Sequence, residues 1–189
     1  MRLKVILLAT TLSFGTLFAG MYKVDVDHSN VAFKVKHMMI SNVKGEFKKF
    51  SGTFEYDEKT NSLKALQGIV DIDSISTDNA KRDAHLKSAD FFDAAKYPTM
   101  SYVLERVKGD TAYGKLTIHG ITKEVKMELE TSGTVVKDPW GNTRTGLSLS
   151  GKINRKDFGL NWNQVIEAGG VMVGDEVKMS IELEGILQK

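Results

Sequence analysis

The chain has 189 residues and no cysteine, and its 26 Lys and Arg residues nearly balance 24 Asp and Glu residues. Without cysteine there is no disulfide, no thiolate metal site and no thiol nucleophile. Two of the basic residues, Arg2 and Lys4, lie in the first 19 positions, and without them 24 basic residues face 24 acidic ones. The rest of the chain therefore lacks the basic excess typical of proteins that bind nucleic acid.

Residues 1–19 have the pattern of a secretory signal peptide. Arg2 and Lys4 give a positive start, residues 5–18 are mostly apolar, and Ala19 is the small residue expected at a cleavage site. The apolar stretch is shorter than the roughly 20 residues of a transmembrane helix; a membrane anchor is the alternative interpretation. We expect an exported protein in which residues 20–189 form a single domain.

Alternation of apolar and polar residues predicts strands along most of this domain. The clearest example is residues 177–184, where Val177, Met179 and Ile181 alternate with polar side chains. Glycine, asparagine and aspartate punctuate the strands at hairpin spacing. The complete set of predicted strands covers residues 22–26, 31–36, 50–56, 63–72, 100–107, 112–118, 125–130, 146–153 and 177–184.

One stretch departs from this alternation. Residues 77–79 offer N-cap side chains, and residues 80–90 favour a helix. Residues 88–90 can cap a second short turn that carries Phe91 and Phe92. We therefore expect an all-β fold with one or two short helices.

An antiparallel meander of about eight strands exposes its two edges unless it closes into a barrel. An eight-stranded barrel is near the size at which the interior either fills with side chains or holds one small ligand. Large apolar residues favour a filled interior, whereas the glycines within predicted strands, Gly52, Gly68, Gly114 and Gly151, favour a hollow one. The alternation alone leaves both interiors open.

The sequence contains no nucleophile elbow, phosphate-binding loop, dinucleotide fingerprint or zincin motif. Its four histidines share no metal-ligand spacing, so we expect neither a metal nor a cofactor. Arg82, Asp83 and His85 crowd one turn of the predicted helix, and Arg155 lies in a similar polar segment after a strand. These residues indicate a structural network, because positions i and i+2 of a helix face different directions and cannot form a dyad. An extracytoplasmic enzyme or stress factor that uses Arg82, Asp83 and His85 is the alternative.

Several segments resemble one known family, in the same order along the chain. The most specific are Arg-Asp-x-His-Leu at residues 82–86 and Leu-Thr-Ile-His-Gly at residues 116–120. The chain thereby resembles the YceI-like family of periplasmic polyisoprenoid-binding proteins, from about residue 22 to residue 187. The matching segments are residues 27–29, 31–37, 43–47, 82–93, 97–98, 114–122 and 155–159.

The resemblance implies an extended, lipocalin-like, eight-stranded antiparallel barrel with a long lipid in its pore. It implies a non-catalytic protein that transports or stores a polyisoprenoid, an isoprenoid quinone or a fatty amide in the periplasm. The implied partner is this amphiphilic lipid, and a homodimer is possible. The basic residues between positions 34 and 49 fit either a solvated strand face or transient contact with an anionic membrane surface, and the solvated face is the simpler interpretation.

Our hypothesis for the site combines inward apolar residues with a polar opening. The opening, or a structural network near it, contains Arg82, Asp83, His85 and Arg155. The predicted ligand-binding residues are Phe33, Val35, His37, Met38, Phe47, Phe54, Phe91, Phe92, Met100, Tyr102, Phe158, Leu160, Trp162 and Met172.

Overall fold

The computed structural model describes residues 19–166 and 169–189, so the predicted signal peptide lies outside the described residues except for Ala19. The described chain forms one α-helix, α1 (Ala80–Lys87), and short 3-10 helices at Val26–His28, Ile72–Ser74 and Arg155–Phe158. Its strands are β1 (Gly20–Val24), β2 (Asn30–His37), β3 (Ser41–Phe47), β4 (Phe50–Asp57), β5 (Ser62–Asp71), β6 (Ile75–Ser76), β7 (Thr99–Lys108), β8 (Thr111–Ile118), β9 (Ile121–Thr131), β10 (Val136–Lys137), β11 (Thr143–Asn154) and β12 (Val173–Leu187).

Within the described ranges, no helix combines the length and apolar character needed to cross a membrane.

Eight strands close into an antiparallel barrel in the order β11-β9-β8-β7-β5-β4-β1-β12. The ring closes because β11 and β12 pair along eleven positions, from Arg144–Ile186 to Asn154–Glu176. This confirms the predicted all-β barrel with a short helix. The long strand β12 also pairs with β2, which continues through β3 to β6 as an extension of the wall.

The barrel has two different ends. At one end, Gly20 of β1 lies opposite Tyr56 of β4, and short turns join β4 to β5 and β7 to β8. We call this the packed end, because the fully buried ring of Tyr22 stacks on Phe54 at 5.3 Å and meets Tyr56 edge-on at 6.4 Å. The opposite end, called the helix end, contains the β2–β3 turn, α1 and the long connection between β11 and β12.

Helix α1 begins and ends as its capping residues dictate. The Asn79 side chain accepts a hydrogen bond from the backbone N–H of Arg82 at 2.9 Å, which caps the first turn. At the other end, Ser88 Oγ donates to the carbonyl of His85 at 2.7 Å. The helix is therefore shorter than the predicted span 80–90, and Phe91 and Phe92 follow it in a turn.

Candidate functional site: an apolar tunnel

The half of the barrel toward the helix end encloses an almost entirely apolar cavity of about 190 Å³, called the tunnel below. An apolar cavity of about 150 Å³ stays dry and can bind benzene, so this tunnel is large enough for part of a hydrocarbon chain. Its wall comes from the inward-facing positions of the strands, closed at the helix end by Leu86, Phe91, Phe92 and Leu160.

Two aromatic rings lie against glycines on a neighbouring strand and leave the lumen open. Phe33 on β2 pairs with Gly45 on β3, where an added Cβ would lie 2.6 Å from Cε1 of the Phe33 ring. Tyr102 on β7 packs in the same way on Gly114 of β8. Because these rings lie along the wall, they contribute apolar surface without filling the tunnel.

A second pair of glycines marks a thin part of the wall. Gly52 of β4 and Gly68 of β5 are directly opposite each other and both line the tunnel. The neighbouring Ser51 and Gln67 also belong to the lining and are exposed, so the tunnel lies close to the surface here. The ladder between β1 and β4 ends at Lys23–Thr53, just before this point.

Eight of the fourteen predicted ligand-binding residues lie on the tunnel wall. They come from three strands, β2, β3 and β7, and from the two segments that cover the helix end. Their role as ligand contacts stays a prediction. The eight are Phe33, Val35, Phe47, Phe91, Phe92, Met100, Tyr102 and Leu160.

The other six predicted residues lie away from the wall. Phe54 fills the packed end, where it stacks on Tyr22. Phe158 is only 1 % exposed and packs in the hydrophobic cluster of Leu116, Ile118 and Leu160, so it supports the wall without facing the tunnel.

The remaining four lie at the rim of the helix end. His37 is the last residue of β2 and pairs with Val173. Met38 follows in the turn and donates its backbone N–H to the carbonyl of Met172 at 2.8 Å. The Trp162 ring packs edge-on against His85, with ring centroids 4.8 Å apart. The sequence hypothesis included His37 by extending the alternation of Phe33 and Val35, and the other three as large apolar residues; neither criterion says where the lumen ends.

The strand β12 shows what the sequence hypothesis missed. Val177, Met179, Ile181 and Leu183 all line the tunnel. Their alternation with polar residues is the clearest in the chain, and this alternation could have placed them on the inner face. The hypothesis favoured aromatic residues and included no residue of β12.

Arg82 and Asp83 meet at Thr77. Arg82 Nε donates to Thr77 Oγ1 at 2.7 Å, and Asp83 Oδ1 accepts from the backbone N–H of Thr77 at 2.9 Å. His85 faces elsewhere: its Nε2 lies 2.9 Å from Asp90 Oδ2. The three side chains therefore hold α1 to its neighbouring segments and do not converge on a reacting position.

Arg155 is the charged residue of the tunnel lining, and it is 3 % exposed. Its guanidinium donates to the carbonyls of Gly174 and Trp162 at 2.9 Å, and also to those of Leu160 and Val173. Burial lowers its pKa, and Asp175 partly opposes this effect. The donors are thus used to hold residues 160–162 against the start of β12.

The hydroxyl of Tyr102 also lies inside the barrel but, unlike the guanidinium of Arg155, it makes no hydrogen bond to a described residue. Its Oη is buried and is without a hydrogen-bond partner within the described ranges 19–166 and 169–189. Burial, followed by the nearby charge of Glu105, raises the pKa of Tyr102 to about 12. The phenol is therefore neutral at physiological pH.

Among the residues that the structure describes, one group of potential metal ligands lies outside the tunnel. Atoms of Asp25, His28 and Glu184 lie within 4.8 Å of one another. Arg144 already supplies a positive charge there, since its Nη1 lies 2.6 Å from both Asp25 and Glu184. This arrangement is a charge network that joins β11, β12 and the segment after β1.

Comparison with protein families identifies one match, the YceI-like domain, over residues 22–185. The UPF0312 protein of Staphylococcus aureus is 41% identical over 165 residues, which cover 86% of this chain and 95% of the relative. The UPF0312 protein of Staphylococcus epidermidis matches with the same identity and coverage.

Solved structures share the fold. The Campylobacter jejuni YCEI protein is 34% identical, with a TM-score of 0.69 over 82% of this chain and 91% of that protein. Burkholderia cenocepacia BcnA is 25% identical, with a TM-score of 0.69 over 85% of this chain and 98% of BcnA. A polyisoprenoid binding domain from Saccharophagus degradans, 15% identical, has a TM-score of 0.65 over 88% of this chain and 98% of that domain.

Proposed function

Because this chain belongs to the YceI-like domain family and its barrel encloses an apolar tunnel, we propose that it binds a long-chain, lipid-like molecule in that tunnel. We propose that it transports or stores this molecule in the periplasm without transforming it. The observation that carries the proposal is the unfilled apolar lumen. The polyisoprenoid-binding neighbour of the same fold adds support for an isoprenoid chain.

The energetics of burial favour a chain over a compact ligand. Each buried CH₂ contributes about 0.8 kcal/mol, so one five-carbon isoprene unit contributes roughly 3–4 kcal/mol. Association and ordering of the chain offset much of this gain, and a few buried units are sufficient for binding. A polyprenyl chain, an isoprenoid quinone and a fatty amide all meet this requirement.

The polar groups of the tunnel support selection by chain more than by head group. The donors of Arg155 are used by backbone carbonyls, and the Tyr102 hydroxyl lies deep between side chains. We therefore expect affinity to follow chain length and shape. A membrane, met transiently, is the source or destination of such a chain.

Lipid extraction tests the proposal directly. The protein is expressed from its full-length sequence, purified, and extracted with organic solvent for mass spectrometry. We expect a co-purifying long-chain lipid, or stoichiometric uptake of a C20 prenyl alcohol by the delipidated protein. An empty protein that also fails to take up the prenyl alcohol would contradict the proposal.

A blocking variant makes the test specific to the tunnel. Around Gly68, the nearest heavy atom to an added Cβ is the carbonyl oxygen of Ser51 at 3.6 Å, so a Cβ is accepted in ordinary van der Waals contact. Gly68→Leu should weaken uptake by at least about tenfold, because the new side chain occupies part of the lumen. Ala65→Leu, which adds bulk at an exposed position of the same strand, is the matched control and should bind normally.

A further inference from the structure

Four lysines form a row across the outer surface of the barrel. Lys44 of β3 lies opposite Lys34 of β2, Lys34 lies opposite Lys178 of β12, and Lys178 lies opposite Lys152 of β11. We call these four residues the lysine row. Like charges in directly opposed positions of a sheet destabilise it, so the fold by itself does not favour this arrangement.

Little negative charge offsets the lysine row. Lys152 pairs with Glu176, with Nζ and Oε1 3.2 Å apart. Among the described residues, Lys34, Lys44 and Lys178 have no carboxylate oxygen within 4.0 Å of their ammonium groups. Lys36, two residues after Lys34, is exposed on the same outer face.

An apolar tip follows directly on the same hairpin. The turn between β2 and β3 contains Met38, Met39 and Ile40, and Met39 is 58% exposed while Ile40 is 84% exposed. Val165, also 84% exposed, lies in the neighbouring segment, which the Met38–Met172 hydrogen bond holds against the turn. We call Met39, Ile40 and Val165 the apolar tip.

The backbone of this turn is strained. Met38 and Met39 have φ values of 49° and 64°, in the left-handed region where glycine and asparagine are preferred. A turn selected for stability alone would carry Asn-Gly here. The chain instead keeps two large apolar residues in a conformation that disfavours them, which points to a use for their side chains.

We propose that the apolar tip and the lysine row together form the surface by which the protein docks on an anionic lipid bilayer. In this arrangement the apolar tip enters the interface between head groups and acyl chains, and the lysines contact anionic head groups. The proposal rests on the proposed function, because the bilayer is where a lipid ligand would be exchanged. A soluble polyanion would be attracted by the lysines, but it would not require exposed Met39 and Ile40.

The distance between the lysine row and the apolar tip suits docking on a bilayer. Lys34 lies three residues before the end of β2, which is about 10 Å along a strand and less along the axis of a tilted barrel. Interfacial apolar residues enter the bilayer boundary by about 5–10 Å. Long lysine side chains can span the remaining distance to the head groups. The inward residues of the same strand, Phe33 and Val35, line the tunnel, so docking would bring the tunnel wall to the membrane.

Vesicle co-sedimentation tests the proposal. The purified protein is mixed with vesicles of phosphatidylcholine alone, or with one quarter phosphatidylglycerol. We expect binding to the anionic vesicles that weakens as salt is added. Lys34→Gln together with Lys178→Gln should weaken it by about 25-fold, at about fivefold per lysine. Lys59→Gln together with Lys108→Gln, at turns of the packed end, removes the same charge and should leave binding unchanged.

The tip variant separates docking from folding. Met39→Gly together with Ile40→Ser removes two of the three exposed side chains of the apolar tip and relieves the positive φ of residue 39, so thermal stability should not fall while binding to anionic vesicles does. Uptake of the detergent-delivered C20 prenyl alcohol should be unchanged in every docking variant. If the unmodified protein fails to take up the prenyl alcohol, that result contradicts the tunnel proposal and not the docking proposal.

Two outcomes would overturn the docking proposal. In the first, the protein binds both kinds of vesicle equally weakly. In the second, the lysine variant loses binding to vesicles and to heparin alike, while the tip variant binds vesicles normally; the row would then be a site for soluble polyanions.

Discussion

The ring of Tyr102 occupies the space that a side chain at residue 114 would need. An ideal Cβ built on Gly114 would lie 2.5 Å from Tyr102 Oη and 2.6 Å from Cε2. The glycine on β8 thus holds the aromatic residue of β7 against the wall. This relationship keeps the tunnel open, and it can be tested by adding one methyl group.

We expect Gly114→Ala to push the Tyr102 ring into the tunnel. The overpacked site should lose about 1–3 kcal/mol of unfolding free energy, and uptake of the C20 prenyl alcohol should fall. Gly68→Ala is the matched control: its Cβ meets no atom closer than 3.6 Å, so stability should be unchanged or slightly higher. Denaturant unfolding of both variants measures the difference. Equal stabilities would show that the Tyr102 ring has room to move elsewhere.

Tyr102→Phe should leave the fold as stable or more stable, by up to about 1 kcal/mol. The substitution removes a buried hydroxyl that has no partner among the described residues, so no hydrogen bond is lost. Tyr22→Phe is the contrasting variant, because Tyr22 Oη donates to Glu58 at 3.1 Å. It should cost about 1 kcal/mol. Thermal unfolding of the delipidated proteins compares the two, and a clear loss in Tyr102→Phe would mean that its hydroxyl has a partner in solution.

His85→Gln should behave as a structural change. The ring of His85 packs edge-on against Phe91 at 5.0 Å and Trp162 at 4.8 Å, and losing these contacts should cost about 1 kcal/mol of stability. Uptake of the prenyl alcohol should remain. The extracted lipid is then incubated with each protein and followed by mass spectrometry. Conversion of that lipid by the unmodified protein but not by His85→Gln would favour the enzyme hypothesis over carriage.

The lowered pKa of Asp138 predicts that the stability of the protein falls in acid. Burial raises its pKa, but hydrogen bonds from Arg144 and Asn142 outweigh that effect and lower the pKa to about 2. A carboxyl with a lowered folded pKa stabilises the protein above its unfolded value of about 3.8, and this contribution is lost as pH falls toward 2. Asp138→Asn should therefore be less stable than the unmodified protein at pH 7.

The stability difference for Asp138→Asn should shrink as the pH is lowered from about 5 to 2. Glu128→Gln, exposed on the outer face of β9, serves as the control for a general loss of negative charge. Thermal unfolding across this pH range gives both curves. If the stability difference between Asp138→Asn and the unmodified protein stayed constant down to pH 2, the charge of the Asp138 carboxylate would not be what stabilises its contacts with Asn142 and Arg144.

The positions of most strands could be predicted from the sequence, because each has one dry and one wet face. All nine predicted segments overlap observed strands. The strand β3 was missed because Gly45 interrupts its apolar alternation, and that glycine is required by the ring of Phe33 on the paired strand. Such a requirement involves two strands and cannot be seen in either one alone.

The sequence by itself determined which residues share a face of each predicted strand, since the period of two is a local property of an extended chain. It also predicted the barrel, because an antiparallel meander of this length must remove its edges. Only the tertiary structure decided that the lumen is filled at one end by Tyr22, Phe54 and Tyr56 and open at the other. The reason is that free volume depends on how side chains from different strands pack, and the pairing of rings with glycines fixes it. The same holds for the lysine row, which exists only through the register of four strands.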